Sequence, residues 1–228
     1  QNQQPKLSRE YIRNRILANY GTLAGLGSKV PRLTNAIMGN SLVQTVNEKV
    51  LGITAEREFP SFAPETFRAW WADRGGDAAS RERAREARAR RGEENADKRV
   101  AYFHGDYANH NTPEVARSLV AVFEHYGYAV AVPDQRCSGT PMFANGMYDD
   151  ARRAARFNVE TFGDLVAEGY DVVCSCTSCS MALRQEYPEL FDFADTETVA
   201  TNTYDAVEYL RINEDVDGDL ADADGEEG

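Results

Sequence analysis

Three short apolar runs constrain this chain more than any other feature: Arg99–Phe103, Tyr128–Val132 and Asp171–Ser175. Each reads as a short strand, and each is followed by a helical pattern. A helix is expected from Thr112, with Pro113 at its first position and Val115, Leu119, Val122 and Phe123 inward. A long one is expected over Tyr148–Ala167, with Ala151, Ala155, Val159, Phe162 and Leu165 inward. A third runs from Ser178 to Glu186 and stops before Pro188. Strand and helix alternating with short loops predict an α/β fold with a parallel sheet. The C-terminal ends of parallel strands face one way, so groups just past them can converge. Here those groups are His104-Gly105-Asp106, Cys137 and a thiol-rich loop.

That loop is Cys174-Ser175-Cys176-Thr177-Ser178-Cys179, which holds three of the four cysteines in six positions. Cys176 and Cys179 form a C-x-x-C at a predicted strand-to-helix junction, where a helix N-terminus favours the thiolate. Four interpretations are open on spacing alone. The pair could be a thioredoxin-like redox dithiol, although the usual Trp-Cys flank is missing. Cys137, Cys176, Cys179 and His104 are permitted zinc ligands, although closed zinc sites favour two close pairs. Thiolates from several loops suit an iron–sulfur cluster. The cysteines also pass as small buried hydrophobes. Hydrogen bonding suits His104 and His110 better than ligation, and His125 reads as structural.

The rest of the chain frames this core. Leu7–Leu26 and Pro31–Val43 read as helices, with a third piece reaching Leu51. They suit a helical hairpin packed on a neighbouring domain better than a pair lying on a membrane. Phe59-Pro60-Ser61-Phe62-Ala63-Pro64 is extended, since each Pro biases its predecessor away from helix. Phe67, Trp70 and Trp71 then sit on a short helix. The domain plan is a helical N-terminal extension over 1–74, a charged linker over 75–97, an α/β domain over 98–212 and an acidic tail over 213–228. Asn202–Ile212 reads as a last helix.

The net charge is -12, and Lys6, Lys29, Lys49 and Lys98 are the only lysines. Acidity spread through the chain suits a very salty cytoplasm, where the self-repulsion is screened. It argues against nucleic-acid binding, which needs a basic face. Arg81–Arg91 is interleaved with acids and reads as a solvated helix face. No secretory signal or membrane-spanning run is seen, and clustered cysteines suit a reducing compartment.

Several of these residues resemble a known family. Tyr102-Phe103-His104-Gly105, Cys137-Ser138-Gly139-Thr140-Pro141, Ala144-Asn145-Gly146 and Leu183-Arg184-Gln185-Glu186-Tyr187-Pro188 resemble the first cysteine-rich CCG domain of the iron–sulfur (C) subunits of anaerobic glycerol-3-phosphate dehydrogenases. The likeness extends upstream through Phe67-Arg68-Ala69-Trp70-Trp71. It implies a parallel-sheet CCG-type domain with a helical extension. It also implies a non-catalytic iron–sulfur subunit, its cluster of the 4Fe–4S kind. Such a subunit passes electrons from a flavin-containing dehydrogenase subunit to quinone, at the cytoplasmic face of the cell membrane. Cys137 and Cys179 fall at the family's ligand positions, with Cys176 beside them and Cys174 in reserve. Asp106 stands where the family has a cysteine, and Ser138 replaces a second one, so the thiol set is incomplete. A degenerate copy acting as a scaffold, or a zinc-binding interaction module, is the alternative. No ferredoxin-type Cys run is present, and the chain opens Gln1-Asn2-Gln3-Gln4, which suggests the middle portion of such a subunit.

Overall fold

The computed structural model describes residues 8–40, 43, 49 and 60–216. The expected third helical piece reaching Leu51, and most of the acidic tail, lie outside the described residues. The chain divides into two compact units. The first holds residues 1–74, 104–117 and 135–159, and the second holds 75–103, 118–134 and 160–228.

The second unit contains the sheet. Its strands are β1 (Arg99–Phe103), β2 (Ala129–Ala131), β3 (Asp171–Cys174) and β4 (Thr203–Asp205). All neighbours pair in parallel, in the order β2-β1-β3-β4. The α/β parallel-sheet architecture is therefore as expected from the strand–helix alternation. The fourth strand is a correction. Thr203–Asp205 lies inside the segment read as one helix, and the helix begins only at Ala206. Asp205 ends the strand and caps that helix, with its side chain on the Val207 N–H and Glu208 closing a capping box. Three residues are too few to show a strand period, so this one is set by its pairing to β3.

A second correction concerns 75–97, expected as a linker. Gly76–Arg91 is a 16-residue helix with Ser80, Ala84 and Ala87 buried. It guards the sheet edge. In parallel β2 alternate N–H groups face away from β1, and Ser80 Oγ accepts from Val130 N at 3.0 Å while Asp77 Oδ1 accepts from Val132 N at 3.3 Å. An unprotected edge would invite pairing with another chain. Arg81–Arg91 reads from sequence as a solvated helix face; its packing on the sheet was hidden because the buried stripe consists of Ala and Ser, which carry little hydropathy.

The core of this unit is Val100, Tyr102, Phe103, Val120, Phe123, Phe162, Val172 and Val173, all fully buried. Tyr209 stacks into an aromatic group with Phe123, Tyr128 and Tyr204, at centroid distances of 5.3 to 6.0 Å. Glu214, read as the start of a free tail, accepts from Lys98 Nζ at 2.9 Å and from Tyr128 OH at 2.8 Å. Glu214 is therefore held against the sheet unit.

The first unit is helical. In chain order its helices are Arg9–Ala18, Tyr20–Gly27, Pro31–Met38, Phe67–Asp73, Gly105–His110 and Thr140–Ala144; they are called α1 to α4, α6 and α8. The edge helix Gly76–Arg91 is α5. Two helices have residues in both units: α7 (Pro113–His125) and α9 (Tyr148–Ala167). The remaining helices of the second unit are α10 (Thr177–Met181), α11 (Tyr187–Leu190), α12 (Thr196–Thr201) and α13 (Ala206–Asn213). A π-helical turn, Ala182–Glu186, links α10 to α11. Pro188 therefore sits inside a continuous helix instead of stopping it. Proline lacks the N–H for the preceding turn and crowds its carbonyl, and the wider turn lies just before it. The predicted Leu7–Leu26 helix is broken at Asn19 into α1 and α2, with Asn19 Nδ2 donating to Arg15 O at 2.8 Å.

Candidate functional site

In the second unit the thiol loop is organised by the end of β3. Cys174 pairs in register with Phe103 on one side and Asp205 on the other, and is fully buried. Burial pushes its thiol far up, helped by the neighbouring Cys176 and Asp205. Cys174 is thus a neutral packing residue. Ser175 then hydrogen-bonds Tyr102 OH at 2.7 Å, which fastens the loop to β1.

Cys176 behaves differently. It has extended backbone geometry immediately before α10, and its side chain is exposed. The Cys179 thiol beside it holds its pKa down to about 5, against a desolvation cost, with the backbone N–H groups of Cys179 and Ser178 adding to the effect. Cys176 is therefore a thiolate at neutral pH, with a thiol one helical turn away. This is the soft, ionised donor type that iron and zinc take.

In the first unit His104 directly follows β1. It is buried, its Nδ1 donates to Gly105 O at 2.6 Å, and its ring meets the Phe67 edge at 5.5 Å. Burial holds it at about pKa 4, so it is neutral. Gly105 takes φ 66, a left-handed conformation that suits glycine, and its N–H donates to Gln135 Oε1 at 3.2 Å. The turn into α6 places Asp106 against Cys137, whose thiol hydrogen-bonds the carboxyl. Burial raises the Asp106 pKa more than this bond lowers it. Asp106 Oδ2 is buried with no hydrogen-bond partner among the described residues.

The surroundings of Asp106 explain an otherwise idle glycine. A Cβ on Gly21 would lie 2.3 Å from Asp106 Oδ2, so a side chain there would force the Asp106 carboxyl to move. Asn158 on α9 fixes the Cys137 loop. Its Oδ1 accepts from Arg136 N at 2.8 Å, and its Nδ2 donates to the Arg136 and Cys137 carbonyls at 3.1 and 3.3 Å. His110 links α6 to the N-terminal helices through Ser28 Oγ at 2.9 Å, and Asn109 Nδ2 donates to His110 Nε2 at 3.1 Å. A cavity of about 470 Å³ opens here, lined by Gly21, Arg68, His104, Asp106, Gln135 and Cys137 among others.

The structure thus brings Asp106 and Cys137 together in one unit, and Cys174, Cys176 and Cys179 together in the other. Among the described residues no group of three or more His, Cys, Asp and Glu side chains is arranged as a metal site. The donor chemistry within each pair nevertheless fits a metal or cluster: an ionised sulfur at Cys176, and a buried carboxyl oxygen at Asp106 with no bond of its own. Gly21, Gln135 and Asn158 were not singled out from sequence. Asn158 carried a signal, since it falls on the inward face of α9 beside Ala155 and Val159, where a polar residue must find partners.

Residues 100–184 match the family model described as CCG, cysteine-rich domain, and this segment is a CCG domain. Over 187 residues the chain is 28% identical to the C subunit of the anaerobic glycerol-3-phosphate dehydrogenase of Escherichia coli, covering 81% of this chain and 43% of the relative. It is 36% identical over 106 residues to lactate utilization protein A of Shouchella clausii, covering 43% of this chain and 41% of that protein. It is also 32% identical over 105 residues to an uncharacterized iron-sulfur protein of Methanocaldococcus jannaschii, covering 45% and 21%. The chain spans less than half the length of each of these relatives. No solved structure gives a significant match.

Proposed function

We propose that this chain is the CCG-domain portion of an iron–sulfur electron-transfer subunit. Its complex would be a membrane-associated anaerobic glycerol-3-phosphate:quinone oxidoreductase. It would take electrons from a flavin-containing dehydrogenase subunit and pass them towards quinone, at the cytoplasmic face of the membrane. The observation that carries this is the likeness to the Escherichia coli C subunit, which runs over 81% of the chain and well beyond the CCG segment. A relative named for its iron–sulfur content supports the same cofactor class.

The proposed ligands are Cys137, Cys176 and Cys179, with Asp106 as an oxygen donor at the position of the missing thiol. The domain match spans all four residues. A bound cluster, of the 4Fe–4S kind, would supply one-electron relay. Cys176 offers an ionised sulfur, Cys179 a thiol that holds it so, and Asn158 keeps the Cys137 carbonyl and loop in place. Cys174, the reserve thiol of the set, is fully buried in β3, which favours a packing role for it.

Iron and sulfide analysis with EPR on anaerobically reconstituted protein tests this. Cys179→Ser should abolish the visible iron–sulfur absorption, Cys137→Ser should nearly do so, and Asp106→Cys should raise iron occupancy. Colourless native and Asp106→Cys proteins would overturn it. Asp106 in place of a thiol favours a second reading, a degenerate CCG domain that acts as a scaffold or holds zinc. Zinc retained without iron would support that reading.

A further inference from the structure

Arg81–Arg91 reads from sequence as a solvated charge stripe, and the structure gives part of it a concave setting. On α5 the buried stripe is Ser80, Ala84 and Ala87. Arg81, Arg85 and Arg88 each follow one position later, so they keep the same helical spacing and form a row beside the packed stripe. Together with Lys98 and Arg99, where β1 begins, they line a cavity of about 430 Å³ within the second unit. Ala129, the first residue of β2, and Tyr170, directly before β3, also line it. The cavity therefore lies at the N-terminal ends of the strands, whereas the thiol loop follows the C-terminal end of β3.

Five cations line this cavity against two acids, Glu82 and Asp97, in a chain of net charge -12. Three of the cations are held in place. Arg88 Nη1 donates to Gly127 O at 2.5 Å, and a Cβ on Gly127 would lie 2.5 Å from Arg88 Cγ. Arg99 Nη1 donates to Glu168 O at 2.9 Å, and its guanidinium lies 5.5 Å from the Tyr170 ring centroid. Lys98 is neutralised by Glu93 and Glu214, at 2.7 and 2.9 Å. The other two are available. Arg81 makes no ion pair among the described residues. Arg85 meets Glu82 at 4.0 Å with both side chains mostly exposed, a contact worth little. We infer that this cavity binds a small organic anion carrying two or more phosphate groups. Guanidinium forks match phosphate oxygens two at a time. The row from Arg81 to Arg88 runs about 10 Å along the helix axis, longer than one phosphate group needs. The acidity of the chain as a whole repels anions, so a polyanion settles where the cations are gathered. This goes beyond the electron-transfer reading, and its test needs no iron.

The test is isothermal titration calorimetry of the full chain with sodium pyrophosphate, at the lowest salt that keeps the chain folded by circular dichroism. Binding should saturate, and added salt should weaken it. Arg81→Gln with Arg85→Gln should weaken it about tenfold or more. The thermal melt without pyrophosphate should not change, because both side chains are exposed. Arg83→Gln with Arg90→Gln removes the same charge from exposed positions of α5 outside the cavity and should leave binding as in the parent. Absence of saturable binding would overturn the inference, as would a cavity variant that binds like the parent. So would an equal loss in both double variants, which would reduce the effect to net charge. A hexaglutamate peptide that binds as tightly as pyrophosphate would also overturn it, by making this a surface for acidic peptides.

Discussion

At the scale of single residues, three neighbouring cysteines differ because their environments differ. Cys174 lies inside a sheet and is held neutral, whereas Cys176 two positions later meets an adjacent thiol and backbone donors. In the metal-free chain, iodoacetamide labelling of Cys176, followed by mass spectrometry, should rise with a midpoint near pH 5. Cys179→Ala removes the largest stabilising contact and should move that midpoint up towards an ordinary thiol. Cys174→Ser should leave Cys176 labelling unchanged but cost about 1–3 kcal/mol, by placing a hydroxyl in a packed strand. His104 gives a pH signature. A base whose folded pKa lies below its unfolded value stabilises fully above the unfolded value. That stability is lost as pH falls from about 6.5 to about 4, and the curve is flat below. The loss should be on the order of 3 kcal/mol. Burial lowers the His110 pKa too and adds in the same direction, while Asp106, raised by burial, opposes it at lower pH. Urea unfolding of His104→Asn across this range should show a shallower slope than the parent; an unchanged slope would rule His104 out.

At the scale of elements, α5 stands out as an edge guard built from small residues. Ser80→Ala should strand the buried Val130 N–H and cost about 1–3 kcal/mol. The loss should appear in chemical unfolding without a change in secondary-structure content. The same small residues explain why the packing of this helix on the sheet was hard to see. Ala84 and Ala87 bury completely or nearly so, yet a stripe of Ala gives no large apolar period. By contrast α7 and α9 were legible as helices, and Phe123, Phe162 and Val159 are buried as read; on α7, however, Val115 and Val122, read as inward, are exposed, and Val120 is buried in their place.

For the whole molecule, charge and the N-terminal helices decide behaviour. With net charge -12, self-repulsion should lower stability in dilute buffer. The thermal midpoint should therefore climb as potassium chloride rises towards molar, and a flat or falling midpoint would end the high-salt reading. The N-terminal helices are built into the first unit. Ala18 and Ala24 are buried, Tyr20 OH donates to Asn111 Oδ1 at 2.5 Å, and Ser28 reaches His110. Deleting residues 1–40 should broaden or lower the unfolding transition seen by calorimetry. A truncated chain melting like the parent would show them to be a dispensable extension.

The sequence by itself determined the α/β class, the parallel pairing of β1, β2 and β3, the helices α7 and α9, and the cysteine pattern that resembles CCG domains. These rest on local periodicity, on glycine and proline punctuation, and on side-chain chemistry read along a few residues. Tertiary structure alone decided the rest. The strand Thr203–Asp205 exists because β3 offers it backbone partners, and α5 is fixed by the free edge of β2. Gly21 matters because Asp106, far along the chain, comes within a methyl group of it. Hydrogen-bond partners and close approaches of this kind join residues distant in sequence, and no window along the chain contains both halves of them.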